Sequence, residues 1–237
     1  MNDEEMKRHQ LVLKQILLQC FSNDQLLSKL AFKGGTCLYF FYQLPRFSVD
    51  LDFDWLDEQA VVLDAFQKIL EANLPQQLEY VDKAQTWFWL GSYKAGTTKV
   101  KVEINKREFV GSEYELKEFY GVKVRTMTPA CMLAHKLCAI RDRKELKNRD
   151  LFDAWWMLQQ HWPIKAGIIE ERMGRTEAVY LSELVDWLQQ EKTREYWQGA
   201  KVLDGLGQLL KDDRDRQWVR ENLVKELLLL LRLRAEA

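Results

Sequence analysis

The sequence predicts an α+β fold, a small mixed sheet with flanking helices followed by a mainly helical region. Three observations carry that expectation. An apolar stripe of helical spacing occupies the first thirty or so residues. Short runs of period-two alternation recur between about residue 30 and residue 127. From Pro129 onward the apolar spacing is almost wholly helical. The expected division is a core with an N-terminal helical segment over 1–127 and a helical region over 128–237. There is no internal repeat and no low-complexity linker.

The elements follow in order. Leu11, Leu13, Ile16, Leu17, Leu18 and Cys20 give the first helix its apolar stripe. Leu30-Ala31-Phe32 is a short apolar run suited to a strand. Thr36–Tyr42 reads as a buried helix closed by Pro45, with Gly34 and Gly35 at the strand-to-helix turn and Thr36 as its N-cap. Further strands are expected at Leu51–Asp54, Leu78–Asp82, Thr86–Tyr93, Lys99–Asn105 and Val122–Thr126, with Gly96-Thr97 as a hairpin turn. Leu56–Leu70 reads as an amphipathic helix. Pro163, Gly167, Gly174, Gly205 and Gly207 punctuate the helical region. The five leucines Leu227–Leu231, flanked by Lys225, Glu226 and Arg232, read as a buried terminal helix or a dimer contact.

Composition narrows the class. A chain of 237 residues can bury a core as one large domain or two intimate ones. A formal net charge of −1 demands neither nucleic acid nor membrane as a partner. No uninterrupted apolar run is long enough to span a bilayer. The acidic start, Met1-Asn2-Asp3-Glu4-Glu5, differs from the basic start of a signal peptide. Cys20, Cys37, Cys131 and Cys138 lie in apolar helical contexts without paired spacing, as reduced thiols in the cytosol do. A cytoplasmic location is therefore expected.

The chemistry concentrates in one block, Lys33-Gly34-Gly35-Thr36 followed by Arg46-Phe47-Ser48-Val49-Asp50-Leu51-Asp52-Phe53. Glycines let a backbone approach a ligand closely, and free N–H groups at a helix start favour phosphate. Strand periodicity puts Asp50 and Asp52 on one face with Ser48, and Leu51 and Phe53 on the other. Two carboxylates on one rigid face suit Mg²⁺, which usually takes one or two carboxylates together with substrate phosphates. Together they are the apparatus of phosphoryl or nucleotidyl transfer. Arg46 suits either a phosphate or a structural fork with an acidic residue.

With the later lysine and the Arg149-Asp150-Leu151-Phe152-Asp153 element, this block resembles the AbiEii/AbiGii-type, MenT-like nucleotidyltransferases of the DNA polymerase β-like superfamily. The resemblance spans the first two-thirds of the chain and is most specific over Lys33–Phe53 and His135–Asp153. It implies two Mg²⁺ ions held by Asp50, Asp52 and Glu103, the last being a third carboxylate on a neighbouring strand. It also assigns Lys136 to the triphosphate, beside Lys33, Gly34, Gly35, Thr36, Arg46 and Ser48. Lys136, Ile140 and Arg143 would share a helical face, with Arg143 on the nucleotide or the acceptor. Asp150, or else Asp153, would fix Lys136 and keep it charged. A helix N-cap or a first-turn position stabilised by the helix dipole is the competing role for Asp150, and pairing with Lys101 the competing role for Glu103.

Other readings stand beside these. Cys131, His135 and Cys138 fall at i, i+4 and i+7, but zinc wants a fourth ligand, and packing explains them as well. Arg141, Arg143, Lys144 and Lys147 give a local basic surplus that suits a phosphate backbone. Lys94, Lys99, Lys101, Lys106 and Arg107 add to it. Trp87 and Trp89 alternate on a strand, either stacking a base or lying in the core. The resemblance points to the 3′ end of tRNA as acceptor, and to a toxin of a toxin–antitoxin or phage-defence pair with a cognate antitoxin. Two rivals remain: the same chemistry on a small molecule or protein hydroxyl, and a non-catalytic nucleotide-binding module.

Overall fold

The computed structural model describes residues 3–57 and 63–236. Its strands are β1 (Leu30–Lys33), β2 (Asp50–Trp55), β3 (Gln76–Lys83), β4 (Thr86–Ser92), β5 (Val100–Asn105), β6 (Tyr114–Phe119) and β7 (Val122–Met127). They hydrogen-bond in the order β3-β4-β5-β2-β1-β7-β6. The sheet is mixed: β1 runs parallel to β7 and β2 parallel to β5, while the other neighbours are antiparallel. Helices α1 (Asp3–Phe21), α2 (Gly34–Tyr42) and α3 (Leu63–Asn73) complete this part. It forms one compact unit, Met1–Gln43, Ser48–Glu108 and Tyr114–Met127.

One sheet face and the helices share an apolar core. Leu51, Phe53, Val100, Val102 and Ile104 are buried, as alternation requires. Phe21, Phe32 and Phe66 all contact the Phe53 ring, and Phe66 passes the contact on to Trp89. Both tryptophans of β4 are core residues, and the Trp89 indole N–H donates to Gln67 at 2.6 Å. The base-stacking reading of Trp87 and Trp89 is therefore corrected.

Several local expectations change. Leu11 faces solvent, and the α1 stripe runs instead through Leu13, Ile16, Leu17 and Cys20. Helix α2 starts at Gly34 with Lys33 in the cap position, so Thr36 lies inside the helix rather than capping it. The helix expected over Leu56–Leu70 is described only from Leu63, and residues 58–62 lie outside the described part. Strand β6 had no counterpart in the sequence reading. Its charged residues Glu115, Lys117 and Glu118 fall on both faces at the sheet edge, and Leu116 is exposed, so no buried face marks it. Its hairpin to β7 turns at Tyr120 and Gly121, both with positive φ (50° and 80°), which suits the right-handed strand twist.

The second unit comprises Leu44–Phe47, Phe109–Glu113 and Thr128–Ala237. It is built from α4 (Pro129–Asp142), α5 (Asn148–Gln159), α6 (Ala166–Met173), α7 (Glu177–Gln189), α8 (Glu191–Trp197) and α9 (Asp213–Ala235). Two 3-10 turns, Gly199–Leu203 and Gly207–Leu209, join α8 to α9. Pro129 opens α4, where its missing N–H costs no hydrogen bond. Asp212 caps α9 by accepting from the Arg214 and Asp215 amides. In the leucine run of α9, Leu227 and Leu231 are buried and Leu229 is exposed. Among the described residues no helix is long and apolar enough to cross a membrane.

Candidate active site

In the first unit, β2 places Asp50, Asp52 and Asp54 on one face. The parallel register sets Asp50 opposite Lys101, Asp52 opposite Glu103 and Asp54 opposite Asn105. In the antiparallel pairing with β1, Lys33 lies opposite Asp52. The carboxylates do not stand alone. Lys101 Nζ donates to Glu103 Oε2 at 2.7 Å and lies 3.4 Å from Asp50 Oδ2. Burial by itself would lower the Lys101 pKa, but Asp52, Asp50 and Glu103 outweigh burial and raise it.

Asp54 is a component the sequence reading missed. Its carboxylate is buried and receives Lys33 Nζ, Asn105 Nδ2 at 2.9 Å and the Tyr114 hydroxyl at 3.2 Å. Lys33, expected at the nucleotide, is thus engaged with Asp54. The signal was present, since Asp54 continues the same alternation. Its partner Asn105, however, lies 51 residues away.

The turn from β1 into α2 presses against Asp52. Gly34 has φ +79°, and a Cβ there would stand 2.5 Å from Asp52 Oδ2. The first residue of α2 therefore passes a carboxylate more closely than any side chain allows. Gly35 is buried in the helix. The Thr36 hydroxyl hydrogen-bonds the Ser48 hydroxyl at 2.9 Å and donates to the Asp50 carbonyl. Thr36 and Ser48 thus shape the approach to β2.

Helix α1 holds the same approach from another side. Gln10 Nε2 donates to the Ser48 carbonyl at 2.7 Å and His9 Nε2 to the Val49 carbonyl at 2.9 Å. That hydrogen bond puts the proton on Nε2, and burial lowers the His9 pKa against the opposing effects of Val49 and Asp50. Two buried polar residues beside an apolar stripe were the available sequence signal.

Four carboxylates (Asp50, Asp52, Asp54, Glu103) and two ammonium groups (Lys33, Lys101) share the face. The formal excess of two negative charges equals one divalent cation, and the donors are hard oxygens of the kind Mg²⁺ takes. Among the described residues no three acidic, histidine or cysteine side chains converge as a finished metal shell. Lys101 occupies Glu103 and approaches Asp50 instead.

The second unit gathers the remaining residues around Lys136. Its Nζ lies 2.7 Å from Asp150 Oδ1 and 2.8 Å from Asp153 Oδ2. Asp153 is fully buried and also takes the Arg46 fork, Nε to Oδ1 at 2.6 Å and Nη2 to Oδ2 at 2.7 Å. Arg46 Nη1 donates to the Phe47 carbonyl. Arg46 is 2% exposed, so its donors serve Asp153. The structural fork is the geometry observed. Asp150 meets Arg143 Nε at 3.1 Å through Oδ2.

Burial raises the Asp153 pKa, but Arg46 and then Lys136 overcome it and lower it to about 2. For Asp150 burial is likewise outweighed, by Lys136 and Arg143, and the pKa falls. Lys136 is pushed up by Asp150 and Asp153 against burial and Arg46. Three cations and two anions leave a formal charge of +1, centred on a lysine held charged.

Two expectations are corrected here. Arg143 does not extend the α4 face, because it stands in extended backbone just past the helix end. It reaches Asp150 from there. Asp150 does not cap α5, whose cap position is Lys147, but it does lie in the first turn of that helix, where the helix dipole favours a carboxylate.

The zinc reading also fails. His135 contacts the Ser112 hydroxyl at 3.1 Å and Arg172 at 2.8 Å, and Cys131 Sγ receives the Glu113 amide. The basic surplus is partly neutralised too. Arg141 pairs with Glu183, Lys147 with Glu145, Lys106 with Asp82 and Lys99 with Glu79.

The profile of the AbiEii family, described as nucleotidyl transferase toxins of type IV toxin–antitoxin systems, matches residues 15–227. The chain belongs to this family. It is a nucleotidyltransferase of the AbiEii type.

Solved structures share the fold of this AbiEii chain. JHP933 from Helicobacter pylori is 21% identical, with TM-score 0.62, covering 100% of this chain and 95% of its own. A protein of the same organism assigned to the nucleotidyltransferases is 20% identical, with TM-score 0.64, covering 100% and 98%. Comparison with curated proteins gives no match.

Proposed function

We propose that this AbiEii protein moves a nucleoside monophosphate from an NTP to the 3′-hydroxyl of tRNA, with Asp50, Asp52 and Glu103 holding Mg²⁺. The observation that supports this reading best is the approach of Gly34 to Asp52. It sets the amides that start a helix, suited to phosphate, directly beside a carboxylate suited to a divalent ion. Bound Mg²⁺ would neutralise charge on the phosphates and activate the attacking hydroxyl.

The chain's own groups supply the rest. Gly34 and Gly35 bring backbone to the triphosphate, and Thr36 and Ser48 fix the loop that leads into Asp50. The family resemblance assigns Lys136 to the phosphates as a point charge, and Asp150 and Asp153 position it. Arg46 acts through Asp153 as a positioning residue. Arg143 is the more exposed cation of that cluster and suits the acceptor or the nucleotide. The tRNA acceptor, a role in phage defence and the cytoplasmic setting rest on the family resemblance, as does a cognate antitoxin.

The test is incubation of purified protein with Mg²⁺, total tRNA and each α-labelled NTP in turn. Label in tRNA is expected. Label confined to protein or to a small molecule would move the acceptor to that class. NTP binding without any transfer would mark a non-catalytic module.

A further inference from the structure

Lys101 enters the sequence analysis only as a competing partner of Glu103 and as part of the basic surplus. It stands on β5 directly opposite Asp50, with its side chain 25% exposed. Its ammonium bonds Glu103 at 2.7 Å and approaches Asp50 at 3.4 Å, two of the three carboxylates assigned to the metal. Lys33 is different, because it is engaged with Asp54 among two further donors.

An ammonium group is a compact, strongly hydrated point charge on a flexible stem. It seeks the same hard oxygens as Mg²⁺, and two cations repel at the same oxygens. We propose that Lys101 is the resident counter-cation of this face, displaced by the divalent ion and transferred to the triphosphate that accompanies it. The proposal rests on the nucleotidyl-transfer reading above and adds a nucleotide-binding residue to it. Metal alone then binds weakly, since it must expel a paired lysine into water. Metal and nucleotide bind cooperatively, because the nucleotide gives Lys101 a new anion. A lysine with a merely structural role would leave metal affinity unchanged on removal.

The experiment is an EPR titration of Mn²⁺ into wild type, Lys101→Met, Lys101→Gln and Asp52→Asn, with and without non-hydrolysable NTP analogues. In the absence of nucleotide, the two neutral Lys101 variants should bind Mn²⁺ about tenfold more tightly than wild type. Asp52→Asn should bind more weakly. The analogues should tighten Mn²⁺ binding to all of these proteins through their phosphate oxygens, by a larger factor in wild type than in the Lys101 variants. A parallel melting series should show Mn²⁺ stabilising the Lys101 variants more than wild type.

If wild type binds Mn²⁺ through Asp52 and the Lys101 variants bind no more tightly, this proposal falls and the metal reading stands. If no protein binds Mn²⁺ with or without nucleotide, both fall. Should the variants unfold without metal, refolding on Mn²⁺ addition supports displacement, and failure to refold contradicts it.

Discussion

Gly34 and Asp52 are locked together: the Cβ that Gly34 lacks would lie 2.5 Å from an Asp52 carboxylate oxygen, and the backbone there has φ +79°. Gly34→Ala therefore meets a steric and a conformational penalty at once. It should destabilise the protein by about 1–3 kcal/mol and displace the Asp52 carboxylate. Urea denaturation read beside NTP turnover checks this, and turnover should fall further than stability loss explains. An alanine variant with wild-type stability and turnover would show that the contact is dispensable.

The Arg46–Asp153 fork is buried on both sides. Removing one member leaves a buried charge without its partner, which typically costs about 3–5 kcal/mol. Asp153→Ala and Arg46→Met should both fall in that range. Lys136→Met should cost less, since Asp153 keeps Arg46 and Asp150 keeps Arg143. Chemical denaturation of the three variants orders them, and equal losses would contradict the division between a structural fork and a functional lysine.

The same cluster sets an acid limit. Asp153 is lowered to about 2 and Asp150 is also lowered from 3.8. A carboxylate with a depressed folded pKa contributes stability that is complete above its unfolded pKa and disappears as pH falls through the folded value. Stability should therefore decline between about pH 4 and pH 2, and Asp153→Asn should show a shallower decline over that window. Melting temperatures measured across the range test the sign, and an identical slope in the variant would remove Asp153 as a contributor.

How much was legible in the sequence follows from the range of each signal. Period-two alternation is local, so the face shared by Asp50 and Asp52 was readable, and so were the buried Val100, Val102 and Ile104. The Lys136–Asp150 relation, fourteen residues long, was within reach once both positions were recognised as helical. The Arg46–Asp153 fork spans 107 residues, and no spacing rule selects one carboxylate at that distance. Arg46 was thus read as open to phosphate or fork. Lys101 was counted in the basic surplus and as a competing partner for Glu103, which it meets, but alternation does not show that its flexible stem also reaches Asp50. Edge strand β6 escaped because it lacks the buried stripe that marks β2 and β5.

Asp54 supplies a contrast within one strand. It shares a face with Asp50 and Asp52, yet it is buried among Lys33, Asn105 and Tyr114. Asp54→Asn should destabilise by about 2–4 kcal/mol while leaving Mn²⁺ affinity near wild type. Asp52→Asn should do the reverse. Calorimetric melting paired with Mn²⁺ titration separates the two, and weakened Mn²⁺ binding in a folded Asp54→Asn protein would assign Asp54 to the metal instead.

The most direct measurement is label transfer from α-labelled NTP to tRNA by wild type and by a folded Asp52→Asn variant, with and without Mg²⁺. Metal-dependent label with wild type and none with Asp52→Asn is the expected result. Equal label from both proteins, or transfer that persists after chelation, would contradict a metal-dependent nucleotidyltransferase centred on Asp52.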